Sequence, residues 1–272
     1  MMIIDGKQIA QDIKETLKFQ VGNLSKVPQL DIIYAGENPA IESFMKMKVR
    51  FGEEIGAKTV IHRFPSTVAK ETLLAEIQKI AQDENSTGMI VQLPLPQGID
   101  TDEIVNTIPP EKDADVLSEK ANELYMSGQS LKAPPVAGAV LEVFERSGVA
   151  ILGRKAVVLG KGRLVGKPVA ACLRKAGADV EVLDSKTEDI APHLLKANII
   201  VSGVGKAHMI KPEMLGKNTI LIDAGSAEES GKIVGDADPS CVEKCFVFTP
   251  VPGGIGPMTV AILFWNLISD SI

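Results

Sequence analysis

The sequence predicts a two-domain α/β protein in which each domain is a mainly parallel sheet with flanking helices, the C-terminal one Rossmann-like. Three observations carry that expectation. At 272 residues the chain exceeds the common domain size of roughly 100–150 residues, so two cores are expected. Strand-rich and helix-periodic segments alternate along its length, which is the pattern of βαβ units. In the second half, a strand runs directly into a glycine-rich turn and a helix.

The elements follow in order. Ile9, Ile13, Leu17 and Val21 recur every four positions and line one stripe of a first helix. Gln29–Ala35 reads as a strand, and Asn38-Pro39 opens a second helix, running to about Gly56, with Pro39 suited to the first turn. Lys58–Phe64 is strand-rich, Ala69–Gln82 is helical with Leu73, Ile77 and Ile80 inward, and Gly88–Leu93 is a short apolar strand. Pro94 and Pro96 end it, and a loop passes Pro109-Pro110 to Lys112-Asp113-Ala114-Asp115. Loops at the carboxyl ends of parallel strands are where such proteins bind ligands.

Ser127–Pro135 is polar and contains proline, and the domain boundary is expected here, before a helix over Ala137–Gly148. The strand Lys155–Leu159, the glycine turn, a helix to Gly177 and the strands Asp179–Leu183, Asn198–Ser202 and Thr219–Asp223 make a second doubly wound sheet. A last helix, Pro257–Ser269, is expected to pack back on the first domain. The expected division is therefore 1–132, joined by 257–272, and 133–256.

An apolar fraction of 45%, 24% charged residues and a net charge of −6 give no electrostatic reason for a nucleic-acid partner. Neither a signal-peptide core nor a membrane-length apolar run is present. Cys172, Cys241 and Cys245 cannot all pair, which fits a reducing cytosol. Cys241 and Cys245 are expected on a surface helix turn, and with no histidine nearby in sequence they call for no metal. His62, His193 and His208 sit in unrelated segments, and neither a G-x-S-x-G elbow nor a Walker loop occurs.

Three constellations carry chemistry. In Gly160-Lys161-Gly162-Arg163-Leu164-Val165-Gly166, Gly160 permits a tight turn, Gly162 lets backbone approach a pyrophosphate, and the following helix offers free N–H groups. The spacing is one residue longer than the common dinucleotide fingerprint, so a bare turn is the competing reading. The next strand ends in Asp184-Ser185-Lys186, where Asp184 suits a ribose hydroxyl and NAD, whereas Ser185, Lys161 and Lys186 suit a 2′-phosphate and NADP. Lys48 on its helix, Gln92 at a strand end and Asp115 in the following loop form a second set. Spacing alone assigns them no role, since one lysine on a helix is ordinarily solvated. Thr249–Thr259, rich in Pro and Gly, fixes a backbone path and presents bare peptide groups, or serves as a hinge.

Together these residues resemble the bifunctional methylenetetrahydrofolate dehydrogenase/methenyltetrahydrofolate cyclohydrolases. The similarity spans essentially the whole chain and is most specific in Thr249–Thr259, Val91-Gln92-Leu93-Pro94-Leu95-Pro96 and Glu111-Lys112-Asp113-Ala114-Asp115, with Val165–Pro168 and Val234-Gly235-Asp236 in support. The resemblance implies oxidation of 5,10-methylenetetrahydrofolate with NAD(P)+ and hydrolysis of the methenyl product, with folate in a cleft between the domains. It implies Lys48 as catalytic lysine, Gln92 as its partner and Asp115 as the pterin-gripping carboxylate. Folate contacts are expected at Phe44, Val91, Leu93, Pro252, Gly253, Gly254 and Thr259, and cofactor contacts at Gly160, Lys161, Gly162, Ser185 and near Ser226. A cytoplasmic homodimer using NADP, with NAD left open, is the corresponding expectation.

The chain departs from that family at several positions. Phe44 stands where the family has a tyrosine, Val116 where it has glycine, Pro134-Pro135-Val136 where it has a Cys-Thr-Pro turn, Gly162 for a usual serine, and Asp184 for a residue normally not acidic. A dehydrogenase with weakened cyclohydrolase activity, a silent folate or dinucleotide binder, and a dehydrogenase for another small substrate are the alternatives.

Overall fold

The computed structural model describes residues 1–271; Ile272, which ends the expected C-terminal segment, lies outside the described residues. In chain order the elements are β1 (Met2–Ile3), α1 (Gly6–Gly22), β2 (Gln29–Ala35), α2 (Pro39–Ile55), β3 (Lys58–Phe64), α3 (Lys70–Gln82), β4 (Gly88–Val91), α4 (Thr101–Val105), α5 (Glu119–Ser127) and α6 (Pro135–Ser147). There follow β5 (Lys155–Leu159), α7 (Gly166–Lys175), β6 (Asp179–Leu183), α8 (Ala191–Leu194), β7 (Ile199–Ser202), β8 (Thr219–Asp223), β9 (Ala227–Glu229), β10 (Lys232–Val234), β11 (Cys245–Phe248) and α9 (Ile255–Ile268). Two compact units result: Gln11–Pro134 with the chain from Val260 onward, and Met1–Ala10 with Pro135–Thr259.

In the first unit, β3-β2-β4 form a parallel sheet with β2 at its centre. Every residue of β2 is buried, as a strand covered on both faces must be. Ile33, Met89, Leu73, Ile77 and Ile104 belong to one buried cluster that joins the sheet to α3 and α4. α2 starts where Asn38 Oδ1 accepts the Ala40 and Ile41 N–H groups at 2.9 and 3.3 Å, with Pro39 next in line. Phe51 of α2 stacks on Phe264 of α9 at 5.2 Å between ring centroids. At Gly52, one residue on, an added Cβ would lie 3.1 Å from that ring, so only glycine lets the two helices approach so closely.

The expected loop from Pro94 to Asp115 contains a structured piece. α4 is capped by Asp100, whose Oδ1 accepts the Asp102 N–H at 2.8 Å. Beyond it, residues 112–114 run beside β4 like a further strand: Met89 N–H donates to Lys112 O at 2.7 Å and Ala114 N–H to Met89 O at 3.3 Å. Asn266 of α9 fastens this segment by donating to Ala114 O and Ala133 O at 2.8 and 2.7 Å.

The second unit is a six-stranded, wholly parallel sheet in the order β1-β11-β8-β7-β5-β6, with β9 and β10 as a separate hairpin. β5 lies between β6 and β7, so the direction of winding reverses there, the place where doubly wound sheets bind ligands. Assigning all of 1–132 to one domain needs correction: Met2 and Ile3 pair with Val247 and Phe248, and Ile4 N–H reaches Phe248 O at 2.9 Å. A two-residue strand carries too little pattern to reveal its sheet.

The cysteine reading is also corrected. Cys241 lies in a tight 3-10 turn and Cys245 opens β11, and both are buried, where desolvation pushes each thiol up to about 12. None of the three cysteines forms a disulfide. Among the described residues no helix is long and apolar enough to cross a membrane, and no group of three or more His, Cys, Asp or Glu side chains is placed to hold a metal ion.

Candidate active site

In the first unit, Lys48 projects from the buried side of α2 and is only 5% exposed. Its Nζ donates to Gln92 Oε1 at 2.9 Å and lies 5.0 Å from the ring centroid of Phe44, one helical turn earlier. Gln92 is fixed in turn. Its N–H continues the sheet by donating to Ile33 O at 2.8 Å, and its side-chain Nε2 donates to Leu93 O at 3.1 Å, which leaves Oε1 turned to the lysine. A neutral amide compensates an ammonium poorly, so burial lowers the pKa of Lys48, and the charge of Asp115 opposes the shift only in part.

Asp115 arrives here because residues 112–114 extend the sheet beside β4. Its residue surface is partly exposed, yet its carboxyl group is packed closely enough that desolvation pushes its pKa up to about 6, against Lys48 and with help from Asp113. Asp113 itself is fully buried. Its Oδ2 accepts the Ser118 N–H at 2.8 Å, while Oδ1 has no hydrogen-bond partner among the described residues. Burial raises its pKa despite the Ser118, Leu117 and Val116 donors. Val116 follows with φ +53°, a left-handed conformation unusual for a β-branched residue, and is completely buried.

Of the residues singled out in the sequence, the structure brings Lys48, Gln92 and Phe44 into contact and places Asp115 within electrostatic reach. Val91 and Leu93 flank Gln92 at the end of β4. Pro252, Gly253, Gly254 and Thr259 belong to the second unit. There Gly254 N–H donates to Pro250 O at 2.8 Å, and an added Cβ at Gly254 would lie 2.5 Å from that oxygen.

The second unit gathers the remaining candidates at the carboxyl ends of β5, β6 and β8. Gly160 takes φ +98°. At Gly166 an added Cβ would sit 2.0 Å from Gly160 O, so the helix starts against the turn only because it starts with glycine. Gly162 faces open space, and no side chain caps the start of α7. An open backbone turn below an uncapped helix start is a cradle that fits the pyrophosphate of a dinucleotide. Lys161 Nζ pairs with Asp184 Oδ2 at 2.8 Å, and the Lys186 N–H donates to Asp184 Oδ1 at 3.0 Å. Ser185 and Ser226 are exposed in the adjoining loops.

Sequence reasoning gave no role to Asp236 and Asp223, which shape these loops. Asp236 is fully buried; Oδ2 accepts the Ser202 hydroxyl at 2.5 Å and the Val204 N–H at 2.8 Å, and Oδ1 accepts the Lys206 N–H at 2.7 Å. Asp223 accepts the Gly225 and Ala237 N–H groups at 2.9 and 2.8 Å. Burial pushes the Asp223 carboxyl up to about 6, opposed by the Ala237 N–H and reinforced by Asp236. The one signal in the sequence is the glycine before Asp236: at Gly235 an added Cβ would come within 2.1 Å of Asp223 Oδ2.

A catalytic-type lysine cluster in one α/β unit and a dinucleotide-type cradle in the other define a two-domain dehydrogenase-like protein. Residues 4–115 match the tetrahydrofolate dehydrogenase/cyclohydrolase catalytic domain and residues 134–271 the NAD(P)-binding domain of the same proteins, so the chain belongs to that family. A relative named bifunctional protein FolD from Nitratiruptor is 38% identical over 273 residues, covering 98% of this chain and 97% of its own. The crystal structure of the bifunctional FolD methylenetetrahydrofolate dehydrogenase/cyclohydrolase from Campylobacter jejuni superposes with a TM-score of 0.96 at 33% identity, covering 100% of this chain and 98% of that one. The Trypanosoma brucei enzyme, solved with NADP cofactor and inhibitor, gives 0.93 at 30% identity over 98% of this chain and 96% of that one.

Proposed function

We propose that this protein oxidises 5,10-methylenetetrahydrofolate with NADP+ and hydrolyses the methenyl product to 10-formyltetrahydrofolate. The observation that carries the reading is the buried Lys48 Nζ held 2.9 Å from Gln92 Oε1 beside Asp115, in a chain that matches both family domains over nearly its full length.

The nicotinamide of NADP+, when bound, accepts the hydride. The chain's own part in that half-reaction is to bind and orient: Gly160, Gly162 and the start of α7 hold the pyrophosphate, and Lys161, Ser185, Lys186 and the backbone near Ser226 hold the adenosine side. Asp115, ionised above about pH 6, accepts from the pterin, with Phe44, Val91 and Leu93 as the folate contacts of the first unit; the family resemblance names Pro252, Gly253, Gly254 and Thr259 as those of the second.

Hydrolysis needs proton transfer. Desolvation keeps Lys48 in reach of its neutral form, and Gln92 aims it. Its Nζ takes a proton from the water that attacks the methenyl carbon and returns it to the nitrogen released when the carbon–nitrogen bond breaks. The hydroxyl proton of the adduct leaves as the formyl carbonyl forms. Phe44 supports a second reading, in which hydrolysis is slower than oxidation: its ring sits against Lys48 but offers no hydroxyl to the proton path.

A homodimer in the cytosol belongs to the same proposal; the buried, unpaired thiols of Cys241 and Cys245 support the reducing compartment, and light scattering tests the dimer. The functional test is an initial-rate assay with methylenetetrahydrofolate and each of NAD+ and NADP+. Turnover with NADP+ is expected, and no turnover with either nucleotide overturns the reading.

A further inference from the structure

The glycine turn and the end of β6 are joined by one ion pair. Lys161 Nζ meets Asp184 Oδ2 at 2.8 Å while the other carboxylate oxygen accepts the Lys186 N–H at 3.0 Å. The two side chains remain 55% and 27% exposed. Pairs this exposed are worth at most about 1 kcal/mol, because water competes for both partners. Lys161 therefore leaves Asp184 at little cost whenever a stronger anion comes within reach. Asp184 has no such freedom, being tied to the backbone of the same short turn.

The two residues ask for different ligands. At the end of the second strand of a dinucleotide fold, a carboxylate accepts hydrogen bonds from the adenosine ribose hydroxyls. A 2′-phosphate at the same place needs cations and is repelled by a carboxylate. Here the cations Lys161 and Lys186 and the anion Asp184 share that place, so the site carries groups for both nucleotides and is optimised for neither.

We propose that Lys161 and Asp184 form a coenzyme selector. With a bare ribose, the pair stays closed and Asp184 accepts from the 2′-hydroxyl. With a 2′-phosphate, Lys161 swings from Asp184 to the phosphate, and the carboxylate left behind lowers the affinity that Lys161 and Lys186 would otherwise give. Asp184 is thus the residue that narrows the advantage of NADP+ over NAD+. The inference rests on the dinucleotide reading of this cradle.

Isothermal titration of NAD+ and NADP+ into the wild type, Asp184→Asn and Lys161→Met, without folate, tests it independently of turnover. A charge-assisted hydrogen bond or like-charge contact of this kind corresponds to about tenfold in affinity. Asp184→Asn is therefore expected to raise the ratio of the NAD+ to the NADP+ dissociation constant by about tenfold or more. Lys161→Met is expected to weaken NADP+ more than NAD+. A ratio within about twofold of wild type in Asp184→Asn overturns the selector while leaving the cradle intact, as does equal weakening of both nucleotides in Lys161→Met. Failure of the wild type to bind either nucleotide overturns the dinucleotide reading itself.

Discussion

Lys48 Nζ donates to Gln92 Oε1 at 2.9 Å, so a buried ammonium is hydrogen-bonded to a neutral amide and meets a carboxylate, Asp115, only at longer range. Gln92→Glu places a negative charge at that short distance and favours the ammonium. Since hydrolysis uses the neutral amine, the acid limb of its pH–rate profile is expected to move up by about one unit or more. An unmoved limb, measured with methenyltetrahydrofolate as the sole substrate, argues that Lys48 is not the titrating group.

Phe44→Tyr restores a hydroxyl beside Lys48 without disturbing the ring. Hydrolysis is expected to speed up by about tenfold, the scale of one added charge-assisted hydrogen bond, with a smaller change in dehydrogenation. Comparing both half-reactions on the same preparations checks it, and equal changes in the two rates remove the basis for a role of Phe44 in proton handling.

Asp115 and Asp223 each have a carboxyl pushed up to about 6 by burial, above the ordinary carboxylate value. Between roughly pH 4 and 6 the folded chain therefore binds more protons at these sites than the unfolded chain, and their contribution makes the protein more stable as pH falls through that window. Each group contributes on the order of 2 kcal/mol across it. Asp238 works in the opposite sense: Ser240 and Lys211 hold its pKa well below the usual range, so its contribution is lost only at lower pH. In urea unfolding from pH 7 to 4.5, Asp115→Asn should lose stability relative to wild type as pH falls; a difference between the two that stays constant across this range contradicts the assignment.

Asp236 anchors the loop after β7 through the Ser202 hydroxyl and the Val204 and Lys206 N–H groups. Asp236→Ala strands those donors, and a loss of about 3–5 kcal/mol is expected for a broken buried network. The milder Ser202→Ala keeps the carboxylate and both backbone bonds, and should cost about 1 kcal/mol. Chemical denaturation of both variants gives the comparison, and equal losses would show that the backbone donors contribute nothing.

Val116 is buried at φ +53°. Val116→Gly removes about 1–2 kcal/mol of left-handed strain but gives up about 2 kcal/mol of apolar burial. The near cancellation predicts a stability change within about 1 kcal/mol, whereas a cost above about 3 kcal/mol would mean that the strained backbone is worth little.

The sheets and helices with full apolar patterning were legible in the sequence: β2, β3, α3, β5, β6 and β8 fall within a residue or so of their expected limits. Short elements were not. β1 spans two residues and is defined only by its pairing with β11, while α4 is a single capped turn hidden among prolines and acids. Spacing alone gave Lys48 and Gln92 no role, and only the family resemblance singled them out; the lysine's burial follows from its place on the inward face of α2. Asp236 and Asp223 were missed because their partners are backbone N–H groups brought together only by folding. Lys161 and Asp184 were visible one by one, but their mutual pairing depends on β5 and β6 lying side by side.

The most direct test is hydrolysis of isolated methenyltetrahydrofolate by the wild type and by Lys48→Met, a substitution of similar length that keeps the buried stem. The wild type is expected to accelerate hydrolysis above the buffer rate and Lys48→Met to lose about 100-fold or more of that acceleration, while titration still shows dinucleotide binding in the other unit. Undiminished hydrolysis by a folded Lys48→Met protein would contradict the central claim that Lys48 moves the proton.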